Sequence, residues 1–565
     1  VARKIEIYDT TLRDGAQMRD ISFSVNDKLR ILEILDDLGI SYVEGGWPGA
    51  NPKDVDFFEI AKTLNLKNTK LTAFGSTRKA NTKVNEDPIL HALLRAETEV
   101  ICIVGKSSAW QVANTMKASL EENLEMLSES INYLKSQGRK VFVDAEHFFD
   151  GYIFNSKYSE SFINTAISAG VDRIILCDTN GGSLPEDVFN VTKKLVESFG
   201  EKIKFGIHAH NDGELAVANS IRAIRAGAIQ VQGTINGYGE RCGNANLISM
   251  IPNLQLKYHE EKLVCIPEEN LIKLTSVARK VADIANMNLN PSQPFVGERA
   301  FTHKGGLHAS AVQKDKTSYE HIDPHAVGNN TKIVVSDQSG VSNILDWLRN
   351  NNFEFDSEQS ARQAAQEILT ITKDLESKGY SYENAEASFE ILVRRILEAE
   401  FKEKLNQVPQ MSITKKVLPL YFQSLETNVH IVDGEKTEAT VRLKIGDKEL
   451  HSASLGNGPA NALDNALRKA LRDYYPEIDQ FQLADFKVRI LDSHLGTASI
   501  TKVHINTVES HQSMSWDTVG LSSNIIKASW DAICDSINFG LIYLGVKPID
   551  TNFDLQLNPL NTNAY

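Results

Sequence analysis

The chain has 565 residues, a net charge of −14, and 42% hydrophobic against 24% charged residues; that length exceeds one core and asks for about two to four domains. The acidic balance, with no Lys/Arg block, argues against a nucleic-acid binder, and no apolar run approaches the roughly 20 residues that cross a bilayer. Val1–Ile7 reads as an opening strand rather than a secretory leader, and the scattered Cys102, Cys177, Cys242, Cys265 and Cys534 lack C-x-x-C spacing, so reduced thiols and a cytoplasmic location are expected.

From residue 4 to about 258 one pattern repeats: a short β-branched run, then an amphipathic helical stretch. Strands are predicted at Ile5–Asp9, Tyr42–Gly46, Lys70–Gly75, Glu99–Val104, Lys140–Ala145, Arg173–Cys177, Phe205–His210 and Ile229–Gly233. Helices lie between them, among them Asp27–Leu38, Leu120–Lys135, Glu186–Phe199 and Glu214–Arg225. Leu29, Ile31, Leu32, Leu35 and Leu38 form a helical stripe, and Gly39, Gly138, Gly170 and Gly227 stand where C-terminal caps belong. Strands alternating with helices pair in parallel. Eight units at this length make a closed (β/α)8 TIM barrel, an α/β fold assigned to residues 1–264, with an open doubly wound sheet as the alternative.

Residues 265–413 change to mostly helical, polar accessory subdomains, with helices predicted at Glu268–Ala285, Val341–Arg349, Glu358–Ser377 and Tyr382–Glu400. Among them sits the glycine- and histidine-rich Phe301–His308, and Phe401–Pro409 reads as a linker. Residues 414–565 form an α+β domain with an internal repeat. Strands near Leu418–His430, Glu438–Ile445 and Glu449–Leu455 precede a helix at Pro459–Arg472. Strands near Phe486–Leu491, Ser499–Thr507 and Gln512–Val519 precede one at Ser522–Phe539, and each helix opens on small residues and an asparagine, Asn461 or Asn524. Two βββα units imply a pseudo-twofold domain; two unrelated α/β pieces are the alternative.

His208-Ala-His210 ends the seventh strand. Side chains at i and i+2 share a strand face, so both imidazoles point into the barrel at its C-terminal mouth, where active sites of this fold lie. Strand one neighbours strand eight once the barrel closes, so Asp14, after the first strand, can supply a carboxylate to the same ion. Two histidines and one aspartate leave coordination positions open, as a catalytic site requires, and the mixed shell suits Mg, Mn, Fe, Co or Zn. Gly237–Asn244 follows the eighth strand, and its glycines allow Asn244 to reach the same ion. Glu240 and Arg241 read as a salt bridge that shapes the mouth.

Together Asp9–Gln17, His208–Asp212 and Gly239–Asn244 resemble the acyltransferase branch of the DRE-TIM metallolyases, which holds 2-isopropylmalate, homocitrate and citramalate synthases. The resemblance covers the whole chain, with 414–565 resembling the family's regulatory dimerisation domain. Glu44–Lys53 resembles the citramalate-forming group in particular. The resemblance implies a Claisen-type condensation of acetyl-CoA with a 2-oxo acid, pyruvate in that group. It implies Asp14, His208, His210 and Asn244 as ligands of a divalent cation (Mg, Mn, Zn or Co) and Arg13 as a catalytic arginine. Glu146 would be an active-site glutamate, Thr179 a ligand of the oxo-acid carboxylate and Glu44 a further substrate-side residue. His308, accompanied by Tyr319, would serve in general-base catalysis from the partner subunit of a homodimer. Phe74 and Val104, ending strands three and four, would wall a pocket small enough for pyruvate. Isoleucine, or else leucine, is the effector expected at the C-terminal repeat, with feedback inhibition in isoleucine biosynthesis. The competing readings are a 2-isopropylmalate synthase, a carbon–carbon lyase of the same superfamily, and a non-catalytic regulatory relative.

Overall fold

The computed structural model describes residues 2–258, 260–304, 308, 311–312, 314–333, 340–382, 385–407, 420–432, 436–491, 499–510 and 514–549. They fall into two compact units, Val1–Thr302 with Glu320–Lys332, and His303–Tyr319 with Ile333–Tyr565.

In the first unit eight parallel strands close into a barrel: β1 (Glu6–Asp9), β2 (Tyr42–Gly46), β3 (Lys70–Ser76), β4 (Val100–Lys106), β5 (Lys140–Glu146), β6 (Arg173–Asp178), β7 (Phe205–Ala209) and β8 (Gln230–Gly233). β8 pairs in parallel with β1, which closes the ring and removes the open-sheet alternative. Alternation along the strands produces two packed layers. Tyr8, Phe74, Cys102, Phe142, Ile175 and Cys177 face inward and fill the barrel. Ile7, Ala73, Ile103, Val143, Leu176, Ile207 and Val231 belong to the larger cluster shared with the surrounding helices.

The helices obey their end signals. Val25–Leu38 opens on a capping box of Ser24 with Asp27, buries Ile31, Leu32, Leu35 and Leu38, and stops at Gly39, whose φ of +94° only glycine adopts without strain. The three other glycines expected as caps also have positive φ. The predicted helix Glu268–Ala285 divides into a 3-10 turn, Glu268–Lys273, and an α-helix, Leu274–Ile284.

In the second unit Val341–Asn350, Glu358–Ser377 and Glu386–Gln407 are helical, with Ile344, Leu348, Ile368, Phe389 and Val393 in their shared core. The expected linker from Phe401 is a correction: helix continues through Gln407, because the run of Lys, Glu, Leu and Gln there holds good helix formers and neither glycine nor proline. Residues 408–409 of that segment lie outside the described ones.

The repeat appears as two antiparallel three-stranded sheets. β9 (Gln423–Val432), β10 (Lys436–Ile445) and β11 (Lys448–Gly456) precede the helix Pro459–Leu471; β12 (Phe481–Ile490), β13 (Thr501–Glu509) and β14 (Ser515–Ser522) precede Ile525–Tyr543. The predicted strand starts at Leu418 and Gln512 lie outside the described residues. Leu443, Leu463, Leu467, Val503, Ile505, Trp516 and Ile537 share one core, so the two βββα halves are packed together rather than independent. The two helix starts differ: Asn524 caps its helix by accepting from Ile526 N (2.9 Å), whereas Asn461 instead accepts from Asn457 N, before its helix. Among the described residues no helix is long and apolar enough to cross a membrane.

Candidate metal centre at the barrel mouth

The loop after β1 is pinned before it reaches its functional side chains. Thr11 donates from its N and Oγ1 to the two oxygens of Asp9 (2.9 and 2.8 Å), and Thr10 N and Gly15 N bond to Gly233 O and Thr10 O. Asp9 is fully buried, and that burial raises its pKa from 3.8 to about 7 against the Thr11 bonds.

This loop sets Asp14 beside His208 of β7 and His210, just past its end. Asp14 Oδ2 lies 3.4 Å from His208 Nε2, and His208 Nε2 lies 3.3 Å from His210 Nε2. One donor atom from each of Asp14, His208 and His210 falls within 4.8 Å of the others, and all three residues are buried. Burial raises the Asp14 carboxyl, but Arg13 and the two imidazoles outweigh it and hold it well below the usual range. Burial and the neighbouring His208 push His210 down to about 4, which leaves its ring neutral near pH 7 with a lone pair to offer. Burial lowers His208 too, but its bond to Asp14 prevails and raises it.

Asn244 is joined to His210 by an isolated antiparallel bridge. Its Nδ2 donates to Tyr238 O (3.1 Å), while its Oδ1 is buried without a hydrogen-bond partner. An orphaned buried acceptor costs about 1–3 kcal/mol, which a cation would offset. A Cβ at Gly239 would overlap Asn244 Nδ2, so the glycine is what lets the asparagine sit there. Two imidazoles, a carboxylate and an amide oxygen are a donor set suited to a divalent ion with open positions.

Arg13 stands beside this group. Its Nε donates to Glu44 Oε1 (2.5 Å), its guanidinium carbon lies 3.9 Å from the Phe74 ring centroid, and Nη1 is 3.5 Å from Asp14 Oδ2. Glu44 is fully buried, and its other oxygen accepts from Tyr8 Oη (2.6 Å), so both its oxygens face barrel groups. Glu146, at the end of β5, is ion-paired with Lys106. Thr179 Oγ1 accepts from His147 N (2.8 Å) and Thr179 O from Arg241 Nη2 (2.9 Å). Arg241 pairs with both oxygens of Asp212 (2.7 and 2.9 Å), and its contact with Glu240 is the longer, at 3.8 Å. The mouth bridge is therefore made chiefly by Arg241 with Asp212. His308 and Tyr319 stack on each other in the second unit, with ring centroids 4.1 Å apart.

Residues 4–281 match the family described as HMGL-like, 295–375 the homocitrate synthase post-HMGL domain-like family, and 401–541 the LeuA allosteric (dimerisation) domain. The (R)-citramalate synthase of Aquifex aeolicus is 50% identical over 96% of this chain and 98% of its own length. The chain belongs to the (R)-citramalate synthase family. The family proteins of Geobacter sulfurreducens and Synechocystis are 45% and 46% identical, each over 95% of this chain and over 97% and 96% of their own lengths.

Within this family frame the segment Glu44–Lys53 shapes the wall beside Arg13: Trp47 packs edge-on against Phe74 at 5.5 Å between centroids. Val104 is half-buried against the same interior cluster. Sequence reasoning missed Tyr8, Lys106, Asp144 and Gln232. Asp144 shares β5 and its inward parity with Glu146, while Lys106 and Gln232 are the register partners of Glu146 and His208 on neighbouring strands, and Tyr8 fills the barrel from β1.

Proposed function

We propose that this chain condenses acetyl-CoA with pyruvate to give (R)-citramalate and CoA. The observation that carries the reading is the buried group of Asp14, His208 and His210, with the orphaned Asn244 Oδ1, in a chain half identical to an (R)-citramalate synthase along nearly its full length.

Asp14, His208, His210 and Asn244 would hold a divalent cation (Mg, Mn, Zn or Co), which when bound supplies Lewis acidity toward the 2-oxo acid. Arg13, fixed by Glu44 and stacked on Phe74, directs its remaining N–H groups at the oxygen charge that develops as the ketone is attacked. Thr179, its oxygen already accepting from His147 N, turns its O–H toward the oxo-acid carboxylate. Glu146, held by Lys106, binds on the substrate side and orients the proton path. His308, braced by Tyr319 and supplied by a second copy of the chain, takes a proton from the acetyl methyl group. The resulting enolate carbon bonds to the pyruvate ketone, and water then cleaves the thioester to release CoA.

The Phe74, Trp47 and Val104 wall favours the methyl of pyruvate over a branched side chain. The LeuA-type domain supports end-product control by isoleucine, or else leucine, in a cytoplasmic homodimer of isoleucine biosynthesis. A CoA-release assay across pyruvate, 2-oxobutyrate, 2-oxoisovalerate and 2-oxoglutarate tests the reading. The highest kcat/KM should be with pyruvate, and equal values for pyruvate and 2-oxoisovalerate would refute it.

A further inference from the structure

His208 and Gln232 are register partners on β7 and β8, so both side chains enter the barrel at one level. Gln232 Oε1 lies 2.8 Å from His208 Nδ1, and Gln232 Nε2 donates across the interior to Asp144 Oδ1 at 3.0 Å. Asp144 stands on β5, 88 residues away in sequence, so barrel closure makes this contact. Asp144 Oδ1 also accepts from Cys102 Sγ at 3.3 Å. All four side chains are buried.

An amide has a donor end and an acceptor end, whereas a carboxylate only accepts. Asp144 therefore decides which way Gln232 points: Nε2 toward the carboxylate, Oε1 toward His208. A carbonyl oxygen only accepts, so His208 must carry its proton on Nδ1. That leaves Nε2, which faces Asp14 Oδ2 and His210 Nε2, as the nitrogen that turns a lone pair to a cation once one is bound. With the amide reversed, the proton would move to Nε2 and the lone pair would be lost to the site.

We propose that Gln232 and Asp144 are positioning residues, a two-member relay that locks His208 in its Nδ1–H tautomer and so sets how tightly the site takes a divalent cation. The proposal rests on the reading of His208 as a ligand. Partners of this kind on ligating histidines change metal affinity by about 10–100-fold.

A space-filling role for Gln232 and an orienting role give opposite rankings of two variants. Gln232→Leu keeps the bulk and removes the acceptor. The double variant Gln232→Glu with Asp144→Asn keeps an acceptor toward His208 and reverses the second bond, with the same net charge. The full-length protein is stripped by chelation and titrated with Mn²⁺ by calorimetry, and the 15N shifts of the His208 ring report its tautomer. Gln232→Leu should bind Mn²⁺ about 10–100-fold more weakly and show mixed tautomers, while the double variant stays within about threefold of the original and keeps Nδ1–H. Equal binding by Gln232→Leu, or a double variant as weak as Gln232→Leu, would overturn the relay alone. An original protein that takes up no Mn²⁺ would overturn the ligand reading and the relay with it. Should Gln232→Leu fail to fold by circular dichroism, the double variant and the tautomer of the original protein decide the matter, Nε2–H there being the contrary result.

Discussion

Replacing Glu44 by glutamine removes one charge and no heavy atom from the group that holds Arg13. The pair is sequestered: the Arg13 side chain is 13% exposed and that of Glu44 not at all. Breaking a buried pair by removing one partner costs about 3–5 kcal/mol, because the other charge stays buried and uncompensated. Glutamine keeps an acceptor for Arg13 Nε and can turn its amide N–H toward the Tyr8 oxygen, and Asp14 still faces Arg13 at 3.5 Å. The lower end of that range, about 3 kcal/mol, is therefore expected for the barrel's stability. With its anchor weakened, the guanidinium shifts over Phe74, and a displacement near 1 Å costs about 100-fold in rate. Urea unfolding of the metal-free protein at about pH 7 reads the first effect, and CoA release at saturating pyruvate the second. An unchanged unfolding midpoint together with a kcat within about twofold of the original would refute the assignment of Glu44 as the residue that positions Arg13.

Asp9→Asn separates a pH effect from the rest of the barrel. The folded pKa of Asp9 is raised from 3.8 to about 7, so its contribution is present in full below about pH 4 and is lost as pH rises to about 7, by about 4 kcal/mol over that window. The variant should lack this decline in denaturant midpoints taken across the window, and parallel profiles for the two proteins would contradict it. His308→Ala and Asp14→Ala should each abolish CoA release; after subunit exchange the mixture should recover about a quarter of full activity, since one site in each mixed dimer is whole. No recovery in verified mixed dimers would place His308 in its own subunit's site. Removing residues 414–565 should leave cation binding intact by calorimetry and abolish inhibition by isoleucine or leucine; inhibition that survives would refute a C-terminal effector site.

All eight barrel strands were legible because β-branched runs alternate with stripes such as Ile31, Leu35 and Leu38, and because a cap glycine such as Gly39 marks a helix end before its strand. His208 and His210 were legible by parity alone, and Asp14 by the ring closure that brings β1 beside β8. What stayed hidden is contact between distant strands. Gln232 and Asp144 meet across 88 residues of sequence, and a glutamine on a strand carries no pattern that announces a bond to a histidine. Glu44 was legible as a special residue but not in its surroundings, since Tyr8 reaches it from the neighbouring strand β1, whose inward face it shares, and Arg13 from the turn after β1. The linker expected from Phe401 failed for a local reason: polar composition resembles a linker, yet Lys, Glu, Leu and Gln carry the helix on through Gln407.

The most direct measurement is kcat/KM for CoA release with pyruvate and with 2-oxoisovalerate, in the same protein loaded with the same divalent cation. Phe74 packs between Arg13 and Trp47, and the proposed function makes it the wall that disfavours a branched chain. Since each added methylene is worth about 1–3 kcal/mol in such a pocket, pyruvate should be preferred at least about tenfold. A preference for 2-oxoisovalerate, or no CoA release with either acid, would contradict the assignment.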